Sequence, residues 1–201
     1  MNDKQNTSEI NLKALRRRDK QAFAEMVEQN SNNIYRLGLK MTGNPQDAED
    51  VLQETFIKAY NHLDRFKGRS KISTWLYRIA VNEALMLLRK RKDGQTSLDQ
   101  GVQMDDGTII PKQIIDWCCL PEKELMRDEV IDHIEEAVKK LSDANRAAFL
   151  LRDVEGLSTR EAAEALDISE SALKVRLMRS RMQLREDLTG FFAQKIAGER
   201  T

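Results

Sequence analysis

Aromatic residues make up only 5% of this 201-residue chain, which holds just nine Gly, three Pro and two Cys. So few turn-forming residues argue against an all-β protein with many short strands. Two adjacent Cys, Cys118 and Cys119, cannot build a disulfide framework and lack the gap of a zinc knuckle. They point to a reducing cytoplasm and to no metal site. No apolar run approaches the roughly 18 residues that a membrane span needs. Met1 to Ile10 is polar and lacks the apolar core of a signal segment. Net charge is also missing: 33 Lys+Arg balance 33 Asp+Glu. A balanced total argues against a uniformly basic nucleic-acid binder but says nothing about distribution.

Leu, Ala, Glu, Arg, Lys and Met, the strong helix formers, dominate what is present. The fold class expected is therefore all-α. Divided along its length, the chain carries +5 over residues 1–90, −3 over 91–128 and −2 over 129–201. Gly94, Gly101, Gly107, Pro111 and Pro121 fall in the acidic middle stretch, which shows no sustained period. The expected organisation is an N-terminal tail (1–19), a helical module (20–92), an acidic flexible linker (93–128), a second helical module (129–190) and a C-terminal tail (191–201).

In the first module Gly43 fits a helix stop, and Asn44-Pro45 fits an N-cap followed by the first helical position. Val51, Leu52, Thr55, Phe56, Ala59, Tyr60 and Leu63 form the apolar stripe of the helix that follows. Asp47, Asp50, Gln53 and Glu54 read as its opposite, polar face, either solvated or docked on a basic partner. A further helix from about Ser73 to Arg91 is apolar on more than one side and should be central. Before it, Arg65, Lys67, Arg69 and Lys71 alternate through a break that contains Phe66. Arg78, Asn82 and Arg89 share one side of that helix, and Trp75 and Tyr77 sit at its start. Cations interleaved with aromatics suit single-stranded DNA, although Trp75 fits a core position as well.

In the second module Ser142 is placed to cap a helix ending at Gly156. Ser158 and Glu161 form a capping box. A short break precedes Ser169 and a last helix to about Leu188. This is helix-turn-helix spacing. From Ser169 to Arg185 there are five cations and one acid, a local +4 inside a module that totals −2. Leu173, Leu177, Ser180 and Leu184 share one side of the helix. Ser171, Val175, Met178, Arg179 and Met182 lie opposite. Lys174, Arg181 and Arg185 flank that face on one side and Arg176 on the other, a pattern that suits phosphates around base edges. His62 and His133 lie in different modules, and there is no Gly-rich phosphate loop. A catalytic site, a cofactor and a small-molecule substrate are not expected. From the residues alone a self-sufficient helix-turn-helix regulator and a helical adaptor that binds only protein both stay open.

Three stretches together resemble the sigma-70 family of RNA polymerase sigma factors, in its extracytoplasmic-function (ECF) subgroup. They are Asp47–Phe56, Thr74–Asn82 with the basic loop before it, and Glu155–Arg181. The resemblance implies a non-catalytic initiation subunit made of sigma domains 2 and 4. It implies that Asp47, Asp50, Gln53 and Glu54 bind core polymerase, whose β′ clamp helices and β flap would be the contacts. Phe66, Lys67, Arg69, Lys71, Trp75, Arg78 and Asn82 would hold the −10 element. Ser171, Lys174, Val175, Arg176, Met178, Arg179 and Arg181 would bind the −35 element of promoter DNA. It also implies an anti-sigma factor as regulator. The family often has His where Met178 stands and Thr where Ala172 stands, and it offers no role for Cys118-Cys119.

Overall fold

Helix ends in this chain are set by a few local signals. Asp19 caps the start of α2 (Lys20–Thr42) by accepting from the Ala22 amide. Gly43 ends that helix at φ +70°, the left-handed conformation that glycine adopts without a Cβ clash. Asn44 then accepts from the amides of Gln46 and Asp47, and Pro45 opens α3 (Pro45–Asn61). The structure, a computed structural model, describes residues 12–66, 68, 70–96 and 125–198. Before α2 lies the short α1 (Leu12–Arg16). After α3 come a 3₁₀ turn (Leu63–Arg65) and α4 (Ile72–Thr96).

The first module packs α2, α3 and α4 around Met26, Ile34, Leu37, Met41, Val51 and Leu76, all at most 1% exposed. Each such side chain contributes about 1.5–3 kcal/mol by leaving water. The crossing of α2 and α3 is close because Gly38 has no side chain. A Cβ there would lie 3.3 Å from the Cα of Ala48. The expectation that α4 is central holds: it packs against α2, α3, α6 and α7.

The second module begins with α5 (Leu125–Lys140) and α6 (Asp143–Phe149). Ser142 occupies the N-cap of α6, but its side chain makes no capping bond, unlike the expectation. The helix expected to reach Gly156 changes character at Leu150 and continues as a π-turn, Leu150–Val154. That turn buries Leu150 and Leu151 together, both at most 1% exposed. Gly156 then takes φ +71°. The capping box forms as read: Glu161 N donates to Ser158 Oγ, and Ser158 N donates to the Glu161 carboxylate. These bonds hold the Glu161 carboxyl below its ordinary range. The box opens α7 (Thr159–Ala165). The break after α7 turns at Asp167, whose φ of +54° is one that Asp tolerates better than most residues. Ser169 caps α8 (Glu170–Gly198) through the Ala172 amide.

This last helix runs past the expected stop near Leu188. Phe191 and Phe192 lie at helical spacing beyond Gly190, and the Phe191 ring stacks on His133 of α5 at 4.1 Å. The buried apolar residues of both modules form one connected core, from Leu15 to Leu184. Among the described residues no helix is long and apolar enough to cross a membrane.

Candidate polymerase and DNA interfaces

The acidic face of α3 is the first candidate. Asp50, Gln53 and Glu54 are exposed because the apolar stripe turns the other side of α3 inward. With Lys58, they form one wall of a shallow groove of about 470 Å³, and Glu83, Met86, Leu87 and Lys90 of α4 form the other. Lys58 pairs with Glu83 across it at 2.5 Å. Ile57 and Met86 stand 53% and 44% exposed beside the charges. These α4 residues were not singled out from the sequence, because only packing places them opposite α3. Asp47 must be corrected. It is buried, 6% exposed, and its carboxylate accepts from Arg91 at 2.7 Å. It ties α3 to α4 and does not face outward.

The second candidate is the start of α4. Lys71, Arg78 and Asn82 are exposed. Phe66 is corrected: it is 6% exposed, its ring packs on Trp75 at 5.1 Å, and its carbonyl accepts from Arg16 at 3.1 Å. It braces Trp75, which is half-buried. Lys67 and Arg69 lie outside the described residues, as do Cys118 and Cys119.

The sequence places Tyr77 at the helix start and gives no sign of its partner. Its hydroxyl donates to the Glu155 carboxylate at 2.6 Å, and the side chain is 6% exposed. Burial, then the bond to Glu155, pushes the phenol well above its ordinary range. The π-turn and Gly156 bring Glu155 there, so the helix-turn-helix rests on α4. Arg78 approaches Asp167 at 3.8 Å, and Lys92 pairs with Asp143 at 2.7 Å. Buried Arg146 of α6 adds a fourth link. It donates to the Met41 carbonyl at the end of α2 (2.5 Å), to Lys139 (2.6 Å) and Leu141 (3.0 Å), and to Val138 (3.2 Å).

The third candidate is the outer side of α8. Leu173, Leu177, Ser180 and Leu184 are buried as the periodicity requires. Ser180 Oγ donates to the Asn145 carbonyl of α6, fixing the angle of α8. Ser171, Lys174, Val175, Met178, Arg179 and Arg181 are exposed, and Arg176 is partly so. Arg152 and Arg185 join Lys174, Met178, Arg181 and Met182 around a groove of about 430 Å³. Arg181 is already engaged: it meets Asp153 of the π-turn through two bonds of 2.7 and 3.0 Å. The structure brings these seven residues onto one surface and holds the −10 candidates and the acidic face on others. Among the described residues no His, Cys, Asp and Glu side chains gather as a metal site would require.

Comparison with known proteins then decides the family. Residues 26–93 match the Sigma-70 region 2 model, and residues 131–184 match the Sigma-70, region 4 model. The chain is 37% identical over 177 residues to the ECF RNA polymerase sigma factor SigW of Bacillus subtilis, covering 88% of this chain and 94% of that protein.

The chain belongs to the ECF sigma factors.

It is also 33% identical to the RNA polymerase sigma-H factor of Pseudomonas aeruginosa, over 85% of this chain and 88% of that protein. Among solved structures, RpoE bound to the anti-sigma factor NepR from Bartonella quintana superposes with a TM-score of 0.62 at 24% identity, covering 83% of this chain and 96% of that one. CnrH bound to the cytosolic domain of CnrY gives 0.63 at 22% identity, covering 89% and 95%. At these identities the two structures speak to the fold. As an ECF sigma factor, the protein is a transcription initiation factor that acts with RNA polymerase at promoters. The two readings without polymerase, a self-sufficient regulator and a protein adaptor, give way to this one.

Proposed function

We propose that this sigma factor divides its work among the three surfaces. Asp50, Gln53 and Glu54, with Met86 and Lys90 across the groove, dock on core polymerase. Lys71, Arg78 and Asn82, with Trp75 beside them, hold the −10 element. Lys67 and Arg69 belong to the same loop in sequence. Ser171, Val175, Met178 and Arg179 face −35 base edges, while Lys174, Arg176, Arg181 and Arg185 neutralise phosphates. The observation that carries this reading is the outer side of α8. A capped α7 at helix-turn-helix spacing supports it, and cations line both of its edges. In this reading the chain supplies positioning and performs no chemistry of its own.

A regulator that covers these surfaces belongs to the same proposal. Two solved neighbours were captured with a partner: the sigma factor RpoE with the anti-sigma factor NepR, and CnrH with the cytosolic domain of CnrY. A partner of NepR's class, an anti-sigma factor, is proposed to bind this protein.

The test is a mobility shift on promoter duplex with and without core polymerase, paired with a pull-down. Specific binding is expected with core and not without it. Asp50→Lys combined with Glu54→Lys is expected to abolish capture of core while leaving the helical signal intact, because both residues lie off the apolar stripe. Native capture by that variant would sink the docking assignment. Tight sequence-specific binding by the free protein would sink the dependence on polymerase.

A further inference from the structure

An apolar row runs down the middle of the cationic outer side of α8. Val175 is 46% exposed, Met178 54% and Met182 37%. They stand at i, i+3 and i+7 along α8, so they share one side of the helix. At about 100° per residue, Lys174, Arg181 and Arg185 border the row on one side, and Arg179 and Arg176 on the other. Val is also a poorer helix former than the Lys, Arg and Glu around it. An exposed β-branched residue in this setting has no local reason to be there. A contiguous exposed apolar strip with a charged rim marks a contact surface.

The charge pattern names the occupant. Two rows of cations on either side of one helix match the two phosphate walls of a duplex major groove, about 12 Å wide. The apolar row then faces the groove floor. Every hydrogen-bonding group on that floor would lose water against Val or Met and gain no partner. One group on the floor loses nothing, the C5-methyl of thymine. Ser171, Val175 and Met178 lie in the first three turns of α8, the part of a recognition helix that reaches base edges. Val175 and Met178 are three residues apart, a rise of about 4.5 Å, close to the step of about 3.4 Å between neighbouring base pairs.

We infer that Val175 and Met178 are specificity-determining residues that read thymine methyl groups at two neighbouring base pairs of the −35 element. The inference rests on the proposed reading that α8 enters the major groove at that element. It makes a demand on the DNA: beneath each of these side chains one strand carries a thymine.

The experiment uses holoenzyme, core polymerase with the full-length protein. A −35 sequence is first selected by holoenzyme from a pool randomised at that element. Each thymine in it is then replaced in turn by deoxyuridine, which deletes the methyl and keeps every hydrogen-bonding group. Two neighbouring replacements are expected to weaken wild-type binding by about 4-fold each, the worth of one buried methyl. With Val175→Ala one of these penalties disappears, and with Met178→Ala the other. Both variants change exposed positions, and unchanged thermal melts show that the fold is kept. An element selected without neighbouring thymine-bearing pairs would overturn the inference. So would wild-type binding indifferent to deoxyuridine, or the same penalties in both variants. If selection yields no −35 preference at all, the placement of α8 on that element falls. That result differs from a clear preference that ignores the methyl group.

Discussion

Replacing Arg146 by Met should be the most damaging single polar change in the second module. The side chain is 9% exposed and reaches four carbonyl oxygens: Met41, Val138, Lys139 and Leu141. Three of these belong to the end of α5, where carbonyls run out of helical partners. Met keeps the length of the stem and removes every donor. At about 1 kcal/mol per net hydrogen bond, four bonds give about 4 kcal/mol. An opposing effect has to be subtracted. Burial disfavours the charged guanidinium, the nearest carboxylate is Asp143 at 3.7 Å, and removing a poorly paired buried charge returns part of the cost. The orphaned carbonyls decide the sign, because each buried acceptor left without a donor costs about 1–3 kcal/mol. The expected net loss is about 3 kcal/mol, a large share of the 5–15 kcal/mol typical of a folded domain. Urea unfolding followed by far-UV circular dichroism measures it. Arg146→Lys, which keeps the charge but reaches fewer carbonyls, should fall between wild type and Arg146→Met. A loss below about 1 kcal/mol for Arg146→Met would refute the idea that this guanidinium caps α5 and joins it to α2.

Tyr77 predicts a pH dependence. Folded, its phenol keeps its proton to higher pH than in the unfolded chain, so its contribution is whole below about pH 10. Above that it should fall by up to about 1.4 kcal/mol per pH unit. Subtracting a Tyr77→Phe profile from wild type in urea titrations isolates it, and parallel profiles would contradict the buried bond to Glu155. Ser158→Ala should destabilise by about 0.5–2 kcal/mol by removing the cap of α7, read as a lower thermal midpoint. Gly38→Val should cost about 1–3 kcal/mol by pushing α3 away, with Ala48 in its path. Gly43→Ala, where nothing lies within 4 Å, should cost about 1–2 kcal/mol from its positive φ alone. A urea midpoint for Gly43→Ala well below that for Gly38→Val would reverse this assignment.

Signals carried by neighbouring residues were legible before any coordinates. Gly43, Asn44-Pro45 and the Ser158–Glu161 box act within one turn of chain, and all three work as read. The inward side of α8 was equally plain, since one period of 3.6 places Leu173, Leu177 and Leu184 together. What escaped depended on contacts distant in sequence. Asp47 looks like any acid in a first helical turn until Arg91 arrives from α4. Phe66 looks like an exposed aromatic until Trp75 folds over it. The π-turn at Leu150–Val154 has the composition of ordinary helix, and only the burial of Leu150 and Leu151 together shows why it departs. The last helix reads as ending near Leu188, yet the stacking of Phe191 on His133 carries α8 past it.

The bond between Tyr77 and Glu155 and the approach of Arg78 to Asp167 place a −10 candidate surface and the helix-turn-helix against each other. That contact creates a thermodynamic reciprocity between the two modules. Any ligand that needs the start of α4 bare must first part it from α7, and its apparent affinity is lowered by the fraction of molecules still closed. By the same linkage, a partner that holds one module open makes the other more available. Weakening the contact at Glu155 is therefore expected to raise the affinity of the free protein for single-stranded DNA while leaving the exposed cations of α4 and α8 in place.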